Sequence, residues 1–531
     1  MNSLSLFSRR RWALPAASLL LLATACDGPR EYARSDSPHA MPPSAARFFA
    51  TTYDQVNEKY VLPLPMADIA MSGIGNLRKL DLALAIAKQG ENVEMLYDGN
   101  TLGTFELPRR NYGASWSQLT LAMIDKGRQF SPHLREADAE AIYQAVVEGV
   151  IKKLDTYSRY LSPEPARDAR AARDGFGGIG ITIDAKDGTV RVASVMDETP
   201  AARGGLRTDD VIVMIDGEPT SGLEVRDVVR KLRGPIGVSV SITLRRSGMS
   251  EAYPVSLTRA LIVPPSVAYQ REGRIVHIRV SAFSQNTTDA LHNALERALR
   301  ELGTDLEGVV LDLRGNLGGL LDQAISVADT FLAEGQIVAT RGRHPSSAQT
   351  SYATKGDIGE NIPLVVLVNG MSASASEIVA AALQDNGRAV LIGSTTFGKG
   401  SVQTVVRMNN EGEFILTWAR FHAPSGYPIA DLGVIPGVCT SGDGPSAKSV
   451  LDAVRDGRIT TAATMASWRA ADHSDMGRMK ELRTICMPET KERDLEPEIA
   501  KALLADRGLY ARALQKPTLT AKAGPTTAPV R

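Results

Sequence analysis

Several features are missing from this chain, and each absence excludes a class of protein. Lys and Arg together number 60, as do Asp and Glu, so no excess charge indicates nucleic acid or another polyanion as a partner. No apolar run after residue 25 is long enough to cross a bilayer. The three cysteines are not spaced as a zinc site, and neither an HExxH motif nor a GxxxxGK[ST] loop occurs. We therefore expect neither a metal nor another cofactor in a protein of two or three domains.

What the chain does contain is a serine-rich turn at residues 371–377, Met-Ser-Ala-Ser-Ala-Ser-Glu. An apolar, β-branched stretch at 362–370 precedes it and predicts a buried strand, and 377–384 is a good helix former. A serine at such a strand-to-helix turn lies beside a helix N-terminus, which favours developing negative charge. The pattern fits an acyl-transfer nucleophile, although a serine that only caps the helix would give the same letters.

A glycine-rich segment, Leu311-Asp-Leu-Arg-Gly-Asn-Leu-Gly-Gly-Leu320, follows another apolar strand predicted at 306–313. Its glycines allow backbone N–H groups to approach a ligand closely, as an oxyanion hole requires. By itself it also fits an ordinary strand-to-helix turn. It is not the Gly-Asn-Ser-Gly-Gly of chymotrypsin-like proteases, because Leu317 stands where that motif has its serine.

These segments belong to an ordered series that resembles the C-terminal processing peptidases, which are tail-specific serine proteases with a Ser-Lys pair. The resemblance covers roughly residues 140–440. Its motifs are, in order, Lys153-Leu-Asp-Thr-Tyr-Ser-Arg-Tyr-Leu161, Gly175-Phe-Gly-Gly-Ile-Gly-Ile181, Thr199-Pro-Ala-Ala-Arg-Gly-Gly-Leu206, the two segments above, Phe397-Gly-Lys-Gly-Ser-Val-Gln403 and Ala419-Arg-Phe-His-Ala-Pro-Ser-Gly426.

The resemblance implies roles for particular residues. Ser374 would be the nucleophile, Lys399 the general base twenty-five residues later, and Gln403 its support. The oxyanion donors would be the backbone N–H groups of Ala375 and Gly318, with Gly319 as an alternative to Gly318. Glu377 is interpreted as a helix cap rather than a catalytic member.

Lysine is the demanding member of this set, because a general base must be neutral and the pKa of a free lysine is far too high. Burial lowers that pKa by penalising the ammonium form. Gln403 could orient the amine without adding a negative charge, which would raise the pKa. The rival base is histidine, but among the seven histidines only His422 lies in a motif near the predicted core, and packing or cleft lining is its expected role.

Residues 175–260 resemble a PDZ domain, in which amides of a glycine-rich loop bind a peptide's C-terminal carboxylate and the next strand extends the sheet with the peptide. The corresponding loop residues are Gly177, Gly178, Ile179 and Gly180. The opposite wall would be a helix at 223–232. The expected partners are therefore proteins or peptides with free apolar C-termini, although these glycines could instead only shape a turn.

The N-terminus has the pattern of an export signal. Three arginines at 9–11 precede a leucine- and alanine-rich stretch at 12–22, and Ala23-Thr-Ala-Cys26 resembles a lipoprotein cleavage site. We expect a lipid on Cys26, a membrane anchor in the bacterial cell envelope, and the periplasmic side of the inner membrane because Asp27 follows. Ordinary secretory cleavage near Ala25 and twin-arginine export remain alternatives.

The predicted fold is an α/β multidomain protein with a helical N-terminal region, a β-rich PDZ-like domain and an α/β protease core with a mixed sheet. The expected segments are a signal peptide (1–26), a tether (27–45), a mostly helical region (46–165), the PDZ-like domain (175–260), the peptidase core (265–440), a helical C-terminal region (441–515) and a disordered tail (516–531). A hairpin is predicted at 96–105 within an unexplained insertion at 80–112. Cys439 and Cys486 could form a disulfide in an oxidising compartment or remain two buried thiols.

Together these features predict a serine endopeptidase that selects proteins by their C-terminal tails. Two other functions remain open at this point. One is a non-catalytic envelope protein that binds peptides through its PDZ-like domain, and the other is a serine hydrolase acting on a cell-wall or ester substrate.

Overall fold

The computed structural model describes residues 41–514 except 187, 355–357, 359–361, 443 and 461. The predicted signal peptide, most of the tether, Cys26 and the tail from 516 lie outside the described residues. Among the described helices, none combines the length and apolar character needed to span a membrane.

The N-terminal region is a helical bundle with one small sheet on it. Its helices bury Phe48, Tyr53 and Trp116, and the apolar side of the core strands near Phe414 completes this cluster. The elements are α1 (Ser44–Lys59), α2 (Met66–Gly75), a 3₁₀ turn (Asn76–Lys79), β1 (Leu84–Gln89), β2 (Asn92–Tyr97), β3 (Asn100–Glu106), α3 (Gly113–Phe130), α4 (Pro132–Glu136) and α5 (Ala139–Ile151).

The insertion contains the predicted hairpin and one strand more. Strands β2 and β3 are antiparallel, and the turn between them holds Asp98 and Gly99, both with positive φ. The prediction missed β1, which pairs with the other edge of β2. Its sequence, Leu-Ala-Ile-Ala-Lys-Gln, has alanine and lysine where a strand usually carries β-branched residues, so the sequence pattern is weak.

A short connection then leads into the PDZ domain. Its sheet has the order β11-β10-β8-β7-β6, with β9 on β8, and a separate two-stranded sheet pairs β5 with β12. The elements are β4 (Arg159–Leu161), α6 (Pro163–Asp174), β5 (Phe176–Gly178), β6 (Ile181–Lys186), β7 (Thr189–Val195), α7 (Pro200–Arg203), β8 (Val211–Ile215), β9 (Glu218–Pro219), α8 (Val225–Leu232), β10 (Ser239–Arg245), β11 (Tyr253–Thr258) and β12 (Ala260–Ile262).

The protease core is built on a six-stranded sheet of order β13-β14-β15-β18-β19-β22. The β13–β14 pair is antiparallel and the other pairs are parallel, so the predicted mixed sheet is present. The elements are β13 (Val267–Glu272), β14 (Ile275–Val280), α9 (Thr287–Leu302), β15 (Gly308–Asp312), α10 (Leu321–Asp329), β16 (Gln336–Arg341), β17 (Gln349–Tyr352), β18 (Leu364–Val368), α11 (Ala375–Asp385), β19 (Val390–Gly393), β20 (Ser401–Arg407), β21 (Glu413–His422) and β22 (Val438–Cys439), with 3₁₀ turns at Gly303–Asp305 and Pro345–Ser347.

A second core sheet has the order β17-β16-β21-β20, and β4, in the connection before the PDZ domain, pairs with β21. Strands β15 and β18 are buried at every residue, as parallel strands covered on both faces should be. Because ligands bind at the carboxyl ends of parallel strands, the loops after β15, β18 and β19 are where a site is expected.

The C-terminal helices pack on both faces of the six-stranded sheet. One face buries Trp468, Met479 and Leu482 with the main core, and the other buries Ile499 and Leu503 against β18 and β19. These helices are α12 (Ala447–Arg455), α13 (Ala462–Arg469), α14 (Met476–Arg483), α15 (Leu495–Ala505) and α16 (Arg507–Ala513). The region is thus an integral part of the protease core.

Candidate active site

Ser374 occupies the sharp turn between β18 and α11. Its backbone has φ 57° and ψ −112°, a left-handed conformation that costs a non-glycine residue on the order of 1–3 kcal/mol. The strand before the turn is fully buried, but Ser374 itself is only half-buried, so it is partly accessible. Ala375 is the first residue of α11, so its N–H is among the helix donors that have no partner within the helix.

The carboxylate of Glu377 holds this turn in place. The side chain is completely buried, and its Oε2 accepts hydrogen bonds from the amides of Ser374 and Lys399, each at 2.8 Å. Its Oε1 accepts from the Gly398 amide at 2.7 Å and the Thr396 hydroxyl at 2.5 Å. Burial raises the pKa of the Glu377 carboxyl, and the four donated hydrogen bonds oppose this by stabilising the carboxylate.

The interpretation of Glu377 as a helix cap is therefore correct but incomplete. The carboxylate does cap the start of α11 through the Ser374 amide. It also fastens the loop that carries Lys399, a contact between segments more than twenty residues apart.

Lys399 is half-buried in the loop between β19 and β20. Its Nζ lies 3.4 Å from Oε1 of Gln403 and 5.5 Å from the ring centre of Tyr157. Burial lowers the pKa of the Lys399 ammonium, and the positive charge of Arg159 lowers it further, whereas Glu377 and Asp155 act in the opposite direction. This is the direction that a lysine base requires.

Gln403 has its orientation fixed by a partner that can only accept. Its Nε2 donates to the carbonyl oxygen of Tyr157 at 2.8 Å, so its Oε1 must face Lys399. The register of β20 on β21 shifts between Val402 and Gln403, and such an irregularity turns a side chain out of the regular alternation. An amide oxygen accepting from Nζ orients the amine without placing a full negative charge beside it.

The glycine-rich loop after β15 lies directly against the serine. A Cβ on Gly318 would stand 3.0 Å from Cβ of Ser374 and 3.1 Å from the Ala375 nitrogen, so only glycine permits this approach. A Cβ on Gly319 would stand 2.1 Å from the carbonyl oxygen of Phe283. Both glycines have positive φ, 105° and 151°.

The expectation for Gly318 needs a correction in its detail. Its amide donates to Oδ1 of Asn316 at 2.9 Å, and it would have to give up or share that bond to act as an oxyanion donor. Asn316 is completely buried and its Nδ2 donates to the Val280 carbonyl, so the acceptor is held firmly. The alternative donor named from the sequence, Gly319, is adjacent.

Two residues of the site were missed by the sequence reasoning, Tyr157 and Arg159. Both lie in the motif 153–161, which marked the resemblance but was given no role. Tyr157 orients Gln403 and covers Lys399, and Arg159 contributes positive charge beside the lysine. The motif at 153–161 indicated that this segment belongs to the site, but it could not show the contact with Gln403, because that contact uses the backbone carbonyl of Tyr157.

His422 does not approach a catalytic arrangement. It ends β21, and its Nδ1 is buried without a hydrogen-bond partner among the described residues. Burial, with the charge of Arg341, lowers the pKa of His422 to about 4, so the ring is neutral near pH 7. The structure thus agrees with a packing role. Within the described ranges, no group of three or more His, Cys, Asp or Glu side chains could hold a metal ion.

The PDZ domain carries a groove of about 140 Å³ between its glycine-rich loop and α8. Gly178, Ile179 and Gly180 line one side of the groove, and Val225 and Val229 line the other. Of the other two apolar residues of α8, Val228 is fully buried in the domain core and Leu232 also lines the groove.

Gly177 does not line this groove, which corrects the predicted set. A Cβ on Gly177 would stand 2.0 Å from the carbonyl oxygen of Gly234, and its own carbonyl accepts from the Gly234 amide. The residue is glycine because two backbone segments meet there.

Cys439 and Cys486 are bonded to each other, with their Cα atoms 5.9 Å apart. The bond joins the end of β22 to the turn after α14. Of the two arrangements left open by the sequence, the structure has the disulfide.

Comparison with known proteins agrees with this architecture. Residues 274–439 match peptidase family S41, and residues 191–246 match the PDZ domain. A carboxy-terminal-processing protease of Bartonella bacilliformis is 41% identical over 303 residues, which are 57% of this chain and 70% of that protein. The chain belongs to this family of carboxy-terminal-processing proteases.

A second relative agrees with this assignment. A carboxyl-terminal-processing protease of Synechocystis sp. is 36% identical over 305 residues, covering 56% of this chain and 70% of the relative. A solved structure described as the photosystem II D1 C-terminal processing protease matches with 25% identity and a TM-score of 0.37, over 74% of this chain and 92% of that one. The protein is thus a C-terminal processing serine protease with a PDZ domain, and the non-catalytic alternative is not supported.

Proposed function

We propose that Ser374 is the nucleophile of this protease and that Lys399 is its general base. The observation that carries the proposal is the shared carboxylate of Glu377, which holds the backbone of both residues at one point. In acylation, neutral Nζ of Lys399 takes the proton of the Ser374 hydroxyl as Oγ attacks the scissile carbonyl carbon. The ammonium then gives this proton to the departing amine, and an acyl-enzyme remains. Water, deprotonated by the same lysine, releases the acyl group and restores the hydroxyl.

The negative charge of the tetrahedral intermediate needs donors beside Ser374. The Ala375 amide at the start of α11 is one, and the other is the amide of Gly318 or Gly319. Gly318 brings this loop against Ser374, and because the Gly318 amide is engaged by Asn316, the adjacent Gly319 amide is favoured as the second donor. Gln403 orients Nζ of Lys399 without placing a negative charge beside it.

The PDZ groove would select the substrate. A free C-terminal carboxylate would lie against the amides of Gly178, Ile179 and Gly180, with apolar side chains against Val225 and Val229. Proteins and peptides with apolar C-termini are therefore the proposed substrates.

Catalysis is tested by Ser374→Ala and Lys399→Ala in the full mature chain. Each should abolish cleavage of a peptide with a free apolar C-terminus and leave the thermal unfolding temperature close to that of the wild type. Lys480→Ala is the matched control, because Lys480 is exposed on α14, and it should keep full activity. A folded Lys399→Ala protein with near-normal turnover would remove lysine from the mechanism.

The same proposal places the mature chain in the cell envelope, exported and lipidated on Cys26 on the periplasmic side of the inner membrane. The basic start, the apolar stretch and the Ala-Cys junction support this. Mass spectrometry of the mature N-terminus should find a diacylglyceryl-modified Cys26, and Cys26→Ala should release the protein from membranes. An unmodified mature N-terminus at another residue would contradict the lipid anchor.

A further inference from the structure

A segment of the C-terminal region crosses both catalytic loops. We call residues 483–490, which begin at the last residue of α14, the C-terminal strap. The strap lies outside residues 274–439, which match the peptidase family. The carbonyl of Glu489 accepts from the Gly370 amide at 2.7 Å, just ahead of the serine turn. The amide of Glu489 donates to the Ser394 hydroxyl at 3.0 Å. Ser394 begins the loop at residues 394–400 that carries Lys399, which we call the lysine loop.

Arg483 connects the strap to the lysine loop through its guanidinium. Its Nη2 donates to the carbonyls of Thr396 and Phe397, at 3.2 and 3.3 Å. Its Nη1 donates to the carbonyl of Leu432 at 2.6 Å. The guanidinium therefore joins the lysine loop to the neighbouring turn around Leu432.

The space around this guanidinium is closed on two sides by glycines. A Cβ on Gly398 or on Gly433 would stand 3.2 Å from Nη1 of Arg483. Gly398 immediately precedes Lys399, and its amide is bound by Glu377. The loop is thus held by Glu377 on one side and by Arg483 on the other.

The disulfide fixes the strap at the position from which Arg483 reaches the loop. Cys486 is fully buried, and Cys439 pairs with Gly393, the residue before Ser394. Leu482, next to Arg483, is buried in the main core. The disulfide therefore attaches the strap, at Cys486, to the six-stranded sheet, at Cys439.

We propose that Arg483 is a positioning residue for Lys399, acting through the backbone of the lysine loop. This inference rests on the proposed function, in which Lys399 is the base. The charged and titratable groups around Lys399 are Arg159, Glu377, Asp155 and Tyr157, and Arg483 faces Glu377, Asp431 and Tyr157. Without the guanidinium, water enters beside the loop and the negative charge of Glu377 is less balanced. Both changes favour the ammonium form of Lys399.

The test measures kcat, KM and the pH dependence of kcat/KM for Arg483→Ala and Arg483→Lys in the full mature chain. Arg483→Ala should lower kcat by about tenfold to a hundredfold, because a small misplacement of a reacting group costs on the order of 10²-fold. KM should change little, since the PDZ groove is untouched, and the acidic limb of the pH profile should move to higher pH. Arg483→Lys keeps the charge but cannot span the same carbonyls, so it should fall between the alanine variant and the wild type.

Arg512→Ala is the matched control, because Arg512 also donates to a backbone carbonyl, that of Arg455, within the C-terminal region. It should keep wild-type kcat and pH profile. A folded Arg483→Ala protein with wild-type kcat and pH profile would overturn the inference, as would an Arg483→Lys protein with a normal profile if the alanine variant does not fold. If either of these results is obtained while Lys399→Ala is inactive in the same assay, the inference about Arg483 fails but the proposed function stands. If Lys399→Ala is active, the proposed function itself fails.

Discussion

The amides of Ser374 and Lys399 donate to the same oxygen atom, Oε2 of Glu377, at 2.8 Å each. A single buried carboxylate therefore sets the distance between the turn that carries the serine and the loop that carries the lysine. The carboxylate is enclosed by donors, since Gly398 and Thr396 occupy its other oxygen. The four donors favour the ionised form of this carboxyl, whereas burial favours the neutral acid.

Replacement of Glu377 by glutamine tests this arrangement. The glutamine amide keeps one oxygen, but an NH2 group replaces the other. The two buried donors that now bind that second oxygen would then face a donor and lose their acceptor. We expect the free energy of unfolding to fall by about 1–3 kcal/mol or more, as for other buried unsatisfied groups. The value of kcat should fall by about a hundredfold because both catalytic residues move.

Urea unfolding and steady-state kinetics measure the two effects. Glu498→Gln is the control, since Glu498 is exposed on α15, and it should change neither quantity. A Glu377→Gln protein as stable and active as the wild type would mean that the shared carboxylate does not organise the site.

Much of this site could be predicted because its elements are local in sequence. The strand, the turn with Ser374 and the helix are contiguous, and Glu377 is recognisable as a cap from its place three residues after the serine. The order of the motifs then identified Lys399 and Gln403. These residues lie together because the loops after neighbouring parallel strands meet at one edge of the sheet.

The rest could not be predicted because it depends on contacts between distant segments. The bonds from Glu377 to residues 396–399 exist only once β18 and β19 are paired. The bond from Gln403 to the Tyr157 carbonyl spans almost 250 residues and involves a backbone atom, which no sequence pattern identifies. The engagement of the Gly318 amide by Asn316 is a property of the turn geometry, which glycines leave undetermined.

Exchange of Gln403 for glutamate tests the electrostatics of the base. A carboxylate near Nζ of Lys399 stabilises the ammonium form and so raises the pKa of the lysine, opposite to the effect of burial. Because the neutral amine is the active form, activity should then appear only at higher pH. The acidic limb of the kcat/KM profile should move to higher pH, and kcat should fall at pH 7.

The matched control is Gln349→Glu. Gln349 also donates its Nε2 to a backbone carbonyl, that of Ser346, but it lies exposed on β17. Its pH profile should equal that of the wild type. An unchanged acidic limb for Gln403→Glu would show that the limb does not report Lys399.

Alanine at Gly319 tests the oxyanion loop. Its Cβ would overlap the Phe283 carbonyl oxygen at 2.1 Å, so the loop must move away from its position beside Ser374. Loss of one oxyanion donor typically lowers kcat by about 10²–10³-fold, and we expect a loss of this size with little change in peptide binding to the PDZ domain. Gly303→Ala is the control, because Gly303 also has positive φ but open space around it. Full activity of the Gly319→Ala protein would exclude this amide as a donor.

The last prediction concerns how the PDZ groove chooses a substrate. Binding should be measured with the Ser374→Ala protein, which cannot consume the peptide, using one apolar sequence with either a free or an amidated C-terminus. A carboxylate held by backbone N–H groups loses charge-assisted hydrogen bonds when it is amidated, each worth about 1.5–3 kcal/mol. The loss of two such bonds should weaken binding by roughly two orders of magnitude or more.

Gly178→Glu should weaken binding of the free-acid peptide to a similar extent, because a negative side chain would stand in the groove and its Cβ would press on the Phe176 ring, 2.8 Å away. Gly248→Glu introduces the same charge at an open turn of the same domain and should leave binding unchanged. Cleavage by the active enzyme should follow the same order as binding, since the groove would act before the serine does. Equal affinities for the acid and the amide would mean that these loop amides do not bind a carboxylate, and selection of substrates would then have to depend on side chains alone.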